Sequence, residues 1–205
     1  PILKAIGADV HVVVAFRMLP ERVWNMPPLG TWNLHASLLP DFRGAAPINH
    51  AIIQGERLTG LTTFKLVHAI DEGAIALQLP VPIKPDDDAG ILHDRMMHLG
   101  AGLLATTMRG IQNGNISLIE QSKLLSSGYL RHAPKLSSEY AKINWNQSAD
   151  QINNFVRGLS PYPGATCELK SGDEILVLKI YSGKSQPELQ IGKTGSVAIR
   201  EKSNM

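Results

Sequence analysis

Short apolar runs alternate with helix-like segments over the first 113 residues, and this alternation limits the fold more than any other feature. Residues 10–16 form a β-branched run with little alternation of polarity, which is typical of a strand buried on both faces. Residues 89–113 follow a long helical pattern that ends at Gly114. Further predicted strands cover residues 31–36, 62–68 and 75–83, and further predicted helices cover residues 2–7, 19–24 and 47–54. This order predicts an α/β fold whose sheet has substantial parallel character.

The pattern changes after residue 118. Turn-forming residues interrupt the periodicity there, and a linker is predicted over residues 119–136. A predicted helix over residues 148–159 then precedes predicted strands at residues 165–169, 175–181 and 196–199. Short strands after a helix indicate a small β-rich domain, which we interpret as a barrel over residues 137–205. A doubly wound sheet usually opens with a strand, whereas this chain opens with a helix end. We therefore expect the α/β domain of residues 1–118, and the barrel, to be partial.

Composition narrows the class of protein. No apolar run approaches the roughly 20 residues that a membrane helix needs, so no contact with a membrane is predicted. Cys167 is the only cysteine, which rules out an internal disulfide and favours a reducing cytoplasm. Residues 1–120 hold nine basic and eleven acidic side chains, a net charge of −2, whereas residues 121–205 hold eleven and seven, a net of +4. Affinity for a polyanion is therefore expected in the second part, although a solvated basic surface gives the same pattern.

Two polar side chains stand near the end of the predicted strand at residues 31–36. Asn33 and His35 are two residues apart, so they share one face of the strand. Ligands of α/β folds bind at the carboxyl ends of strands. An amide and an imidazole there suit acyl transfer, because both can donate to a developing oxyanion and the imidazole can also move a proton. The alternative is a polar pair with a purely structural role.

Asp71 is a third candidate, since it follows a predicted strand and precedes Gly73. A carboxylate beside an imidazole would orient the ring and fix its tautomer. A turn aspartate that bonds its own backbone explains the residue equally well. The acidic triplet at residues 86–88 precedes the long predicted helix, where capping is a better explanation than metal binding. No metal site is predicted.

The stretch of residues 43–47 consists of small residues after an arginine, and it leads into a predicted helix at Pro47. Small residues permit a close approach of the backbone to a ligand, and a helix N-terminus attracts anions. A plain tight turn has the same composition. The glycines do not match a phosphate-binding loop.

Four short motifs occur together in a fixed order: N-L-H at 33–35, S-L-L-P at 37–40, R-G-A-A-P-I at 43–48 and I-D-E-G at 70–73. In this combination the chain resembles the family of enzymes that use 10-formyltetrahydrofolate to formylate amines. The resemblance implies a Rossmann-like catalytic domain followed by a small OB-like β-barrel. It also implies roles for particular residues: a catalytic trio of Asn33, His35 and Asp71, a folate-binding turn of Ser37, Leu38, Leu39 and Pro40, and a substrate loop with Arg43 and Gly44.

Within that family, residues 133–136, 143–145 and 157–163 resemble the connection to the tRNA-binding barrel of methionyl-tRNA formyltransferases. This resemblance implies transfer of the formyl group to the amino group of initiator methionyl-tRNA, with Lys135 as a tRNA contact and a cytoplasmic monomer without metal. The family is longer at both ends, which implies a chain that is partial at both ends. Sugar-amine and glycinamide ribonucleotide formyltransferases, formyltetrahydrofolate hydrolases and dehydrogenases, and non-catalytic folate- or RNA-binding relatives are the alternatives.

Overall fold

The computed structural model of the chain describes residues 2–124, 130–186 and 193–197. Helices and strands alternate through the first part, as the sequence predicts. In chain order they are α1 (Ile2–Ile6), β1 (His11–Val13), α2 (Glu21–Trp24), β2 (Thr31–His35), β3 (Arg43–Gly44), α3 (Pro47–Ile53), β4 (Leu58–Lys65), β5 (Ile75–Pro82), α4 (Ala89–Gln112), a 3-10 helix (Gln121–Leu124), β6 (His132–Ala133), α5 (Ala149–Gly158), β7 (Ala165–Ser171) and β8 (Glu174–Ile180).

The main sheet has four strands in the order β1-β2-β4-β5. Only β1 and β2 are parallel, whereas β4 is antiparallel to both β2 and β5. The α/β class is therefore confirmed, and the predicted parallel character is wrong for most of the described sheet. For β4 and β5 the physical reason is their short connection, because a parallel pair needs a crossover of a dozen residues or more.

Strand β1 differs most from its prediction. It spans only His11–Val13 instead of residues 10–16, and Val12 and Val14 are 41% and 52% exposed. The prediction of burial on both faces is wrong, because β1 lies at the edge of the described sheet and pairs there with β2 alone. Strand β4, which corresponds to the strand predicted over residues 62–68, begins at Leu58 rather than at residue 62.

The helix ends follow the predicted chemistry. Asp88 caps α4, and its carboxylate accepts a hydrogen bond from the backbone N–H of Ile91 at 2.8 Å. Such a cap typically contributes about 1 kcal/mol to stability. Asp87 is instead buried beside Arg95. Burial raises the pKa of the Asp87 carboxyl, but hydrogen bonds from Arg95 and the Lys84 backbone outweigh it, and the net pKa is lowered. Asp88 therefore has the capping role that the sequence predicts.

Two hydrophobic cores support these elements, and a small third cluster consists of Leu39, Phe64 and Ile75. The larger core lies between the sheet, α3 and α4, and it includes Ile52, Leu61, Leu92 and Met96. The smaller core lies between α5 and the β7–β8 hairpin, and Ile53 of α3 packs against it. The hairpin is the described part of the predicted barrel, so the barrel itself stays a prediction. Of the predicted strand at 196–199, Ser196 and Val197 lie outside any strand, and the rest lies outside the described residues.

Residues on both sides of 125–129 pack onto the first part of the chain. Ile119 forms a β-bridge with Ile75 at the start of β5, and β6 pairs in parallel with β3. The predicted linker thus contributes contacts to the fold, while the predicted domain limits stay a prediction. In the part of the chain that the structure describes, no helix has the length and apolar character of a membrane span.

Candidate active site

A cavity of about 900 Å³ opens at the carboxyl end of β2. Its wall is largely apolar and includes Phe16, Trp24 and Met96. Asn33, His35 and Asp71 all line it, so the structure brings the three predicted catalytic residues to one site. An apolar cavity with a few convergent polar groups is the usual form of a small-molecule site.

His35 is held by the backbone of the following loop. Its Nε2 lies 2.9 Å from the carbonyl oxygen of Phe42, and the ring is buried. A carbonyl can only accept, so Nε2 carries a proton and Nδ1 is the remaining nitrogen. Nδ1 lies 3.7 Å from Oδ2 of Asp71, which is ion-pair range but longer than a hydrogen bond. The Phe42 carbonyl fixes the tautomer, whereas sequence reasoning assigned that role to Asp71.

Asn33 is buried in the cavity wall with only 4% of its surface exposed. Its Oδ1 makes no hydrogen bond to any described residue. Buried amides are nearly always paired, and an unpaired group costs about 1–3 kcal/mol. This amide is therefore retained against a stability cost, as expected of a group that serves a bound ligand.

Asp71 lies in a turn with a left-handed backbone. Its φ of 54° is in a region that residues with a Cβ seldom adopt, although aspartate does so more often than most. The backbone N–H of Gly44 donates to Oδ2 of Asp71 at 2.9 Å. Two residues on, a Cβ at Gly73 would lie 1.7 Å from the carbonyl oxygen of Lys65, so only glycine fits there. The loop with Gly44 and the turn with Asp71 therefore hold each other in place.

Arg43 points into a polar network rather than standing free. Its Nε and one terminal nitrogen donate to Oε1 of Gln121 at 3.0 and 2.6 Å, and the other terminal nitrogen lies 3.0 Å from Glu72. Gln121 in turn donates to the carbonyl oxygens of Asp71 and Gly73, both at 2.8 Å. Sequence reasoning missed Gln121, because its partners are 48 to 78 residues away and no local pattern distinguishes it.

The turn of residues 37–40 lies beside the site without lining the cavity. Ser37 donates to the carbonyl oxygen of Asp41, Leu39 donates to the Thr62 hydroxyl, and Gln78 donates to the carbonyl oxygen of Leu39. Leu39 is buried as well. These contacts fix the end of β2, and the predicted folate contact of Ser37, Leu38, Leu39 and Pro40 stays a prediction.

Two basic residues of the segment 130–136 differ in their surroundings. Lys135 is exposed, and its predicted contact with tRNA stays a prediction. Arg131 is paired with Asp41 and Glu56, and its guanidinium lies 4.6 Å from the centre of the Phe42 ring.

Within residues 2–124, 130–186 and 193–197, no group of His, Cys, Asp and Glu side chains is arranged to hold a metal ion. Cys167 is free, and burial raises the pKa of its thiol.

Comparisons with known families match both parts of the chain. Residues 2–108 match the family described as formyl transferase, and residues 135–204 match the family described as formyl transferase, C-terminal domain. A methionyl-tRNA formyltransferase of Bacteroides fragilis is 48% identical over 202 residues, which is 98% of this chain and 62% of the relative. That of Flavobacterium johnsoniae is 49% identical over 200 residues, again 98% and 62%. The chain thus spans about three fifths of the length of these relatives.

Solved structures share the fold. A 4-N formyltransferase from Francisella tularensis superposes with a TM-score of 0.67 at 17% identity, over 86% of this chain and 72% of that one. HypX from Aquifex aeolicus, solved in complex with tetrahydrofolic acid, gives a TM-score of 0.63 at 18% identity, over 78% of this chain and 27% of that one. At this level of identity the likeness concerns the fold alone.

Proposed function

The chain belongs to the formyl transferase family, and from that premise we propose that it carries the catalytic centre of a methionyl-tRNA formyltransferase. The reaction would move the formyl group of 10-formyltetrahydrofolate to the amino group of initiator methionyl-tRNA. The observation that carries the proposal is the meeting of Asn33, His35 and Asp71 on one wall of an apolar cavity. The identity of 48–49% to methionyl-tRNA formyltransferases supports this choice of amine over sugar amines.

In the proposed reaction the methionyl nitrogen attacks the formyl carbon, and the carbonyl oxygen becomes an oxyanion. The Asn33 amide lies in the cavity wall, and its NH₂ group is the first donor to that oxygen. Nε2 of His35 already donates to the Phe42 carbonyl. The second donor to the oxyanion is therefore the N–H at Nδ1 of His35. Asp71, 3.7 Å from Nδ1, stabilises the positive ring.

Collapse of the intermediate breaks the bond between the formyl carbon and N10 of the folate. The attacking nitrogen loses a proton, and N10 gains one as it leaves. Because Nδ1 of His35 already carries a proton, the Asp71 carboxylate accepts the proton that the attacking nitrogen loses. The N–H at Nδ1 of His35 gives a proton to N10, and Asp71 then returns its proton to His35. No metal is part of the proposal. The apolar wall with Phe16, Trp24 and Met96 suits the folate ring system.

The second part of the chain supplies the proposed nucleic-acid contact. Its net charge of +4 over residues 121–205 suits a phosphate backbone, and exposed Lys135 adjoins β6 at the junction. Arg131 is a poorer candidate than charge alone suggests, because Asp41 and Glu56 already neutralise it.

We further propose that the protein acts as a cytoplasmic monomer.

The experiment incubates the complete gene product with 10-formyltetrahydrofolate and methionyl-tRNA and analyses the amino acid released from the tRNA. Formylmethionine, formed with charged tRNA and not with free methionine, supports the proposal. Tetrahydrofolate and free formate without formylmethionine would contradict it and indicate a hydrolase. Formylation of a sugar amine in its place would also contradict it, as would folate binding without turnover.

A further inference from the structure

Gln121 makes a saturated set of hydrogen bonds directly behind the proposed active site. The side chain is only 2% exposed. Its NH₂ group donates to the carbonyl oxygens of Asp71 and Gly73, and its Oε1 accepts twice from Arg43. A primary amide offers two donors and two acceptor sites, so this environment uses the full capacity of glutamine.

Gln121 donates hydrogen bonds to the turn where its backbone conformation is least favourable. Asp71 adopts a φ of 54°, in the left-handed region where the Cβ of an L-residue crowds the backbone. The Gln121 amide bonds the carbonyl of this residue and the carbonyl two residues later, so it bridges the strained unit. Glu72, between them, is tied to the same Arg43 that Gln121 holds. A ring of side-chain contacts from Gln121 and Arg43 therefore supports the turn.

A second set of contacts places Gln121 under the turn. Ile119 and Ile75 exchange backbone hydrogen bonds of 2.8 and 2.9 Å, which anchor the chain two residues before Gln121 at the start of β5. On the opposite side, Gly44 donates to the Asp71 carboxylate. The carboxylate is thus set between the Gly44 amide and Nδ1 of His35, and neither contact survives a rotation of the turn.

We infer that Gln121 is a positioning residue for the reaction: it holds the left-handed turn that keeps the Asp71 carboxylate facing His35. The inference rests on the proposed function, and it extends the site to a segment that sequence analysis reads as a linker. Gln121 does not line the cavity, so it acts through Asp71 and not on the substrate. Displacement of a catalytic group by about 1 Å can lower a rate by about 100-fold.

Two substitutions of Gln121 separate its hydrogen bonds. Gln121→Met keeps the length of the side chain and removes every bond. Gln121→Glu keeps the contact with Arg43, but it removes both donors and sets a carboxylate against the carbonyl oxygens of Asp71 and Gly73. Thr107→Val is the matched control, because it removes a buried hydrogen bond to Thr63 in the core, away from the cavity.

The complete gene product is assayed by single-turnover formyl transfer, with each substitution made in the wild-type and in the Asp71→Ala background. We expect both Gln121 variants to lose about tenfold or more in rate in the wild-type background, with the half-saturating folate concentration changed by less than about twofold. In the Asp71→Ala background the loss should shrink to about twofold or less, because Gln121 acts through Asp71. Thr107→Val should keep the wild-type rate.

Wild-type rates in both Gln121 variants would overturn the inference, and so would an equal loss in the Asp71→Ala background, which indicates general destabilisation. Amide hydrogen exchange gives a second readout that does not depend on activity. Exchange at Gly44 should accelerate in Gln121→Glu and not in Thr107→Val, and unchanged exchange would contradict the inference. A wild-type protein that formylates no amine would refute the proposed function, while the exchange result still decides whether Gln121 holds the turn.

Discussion

Polar side chains at the end of β2 lack hydrogen-bond partners that polar side chains at the junction have. The junction consists of residues 119–124 and 130–136. At the end of β2, Oδ1 of Asn33 is unpaired among the described residues, and Nδ1 of His35 stands 3.7 Å from its nearest carboxylate. At the junction, Gln121 uses its whole hydrogen-bonding capacity, and Arg131 has two carboxylate partners. The difference separates groups that are available to a ligand from groups that hold the site in shape.

Asn33→Ala gives the largest expected effect among the tests of this contrast. We expect kcat/KM for formyl transfer to fall by about 10²–10³-fold, the usual cost of a lost oxyanion donor. The melting temperature should stay the same or rise, because the substitution removes a buried polar atom without a partner. Steady-state kinetics and thermal unfolding of the same preparation measure both. A clear loss of stability with normal turnover would reverse the assignment of Asn33.

Arg131→Met should show the opposite behaviour. It leaves Asp41 and Glu56 without their partner, and we expect the free energy of unfolding to fall by about 1–2 kcal/mol, since these groups are about one third exposed. The rate of formyl transfer at saturating substrate should be unchanged. Chemical denaturation measures the first quantity, with Arg22→Met as a control that removes an exposed charge from α2. Equal stability of the two variants would contradict the structural role of Arg131.

Lys135→Ala tests the exposed charge at the same junction. The proposal predicts a higher KM for methionyl-tRNA and an unchanged kcat. The slope of log KM against log salt should fall by about 0.7–0.9, the contribution of one phosphate contact. Kinetics at several salt concentrations measure it. An unchanged slope would show that Lys135 is a solvated lysine and remove it from the proposed tRNA contact.

His50 gives the smallest expected effect, through pH. Burial lowers the pKa of His50 below 6.5, although its hydrogen bond to the Pro134 carbonyl acts in the opposite direction. A lowered pKa means that the unfolded chain takes up a proton before the folded chain does. Stability from this residue is therefore complete above pH 6.5 and declines as the pH falls below it. Denaturation from pH 7.5 to 5 should show a steeper decline for the wild type than for His50→Gln, and parallel curves would refute this.

The helices, and the placement of Asn33 and His35 on one face of a strand, could be predicted because their signals are local. Helix α4 begins at a capping aspartate and is followed by Gly114, and Asn33 and His35 share a face because a strand alternates its side chains. Asp71 was recognised through the resemblance to a family, since its turn alone supports a structural reading as well.

The features that could not be predicted from the sequence depend on contacts between distant residues. The antiparallel pairing of β2 and β4, the exposure of β1 and the hydrogen bonds of Gln121 arise from which segments meet in space. Glutamine has no fixed preference that separates a solvated side chain from a buried one with four hydrogen bonds. The Phe42 carbonyl is equally invisible in the sequence, because any residue at that position would supply the same acceptor to His35.

The most direct measurement is the single-turnover rate of formyl transfer from 10-formyltetrahydrofolate to methionyl-tRNA in the complete gene product with His35→Ala. The substitution removes the ring that faces Asp71 and leaves the apolar cavity wall in place. We predict a fall of about 10²–10⁴-fold in rate, with folate binding retained. A His35→Ala protein that turns over at nearly the wild-type rate would contradict the assignment of this cavity as the catalytic centre.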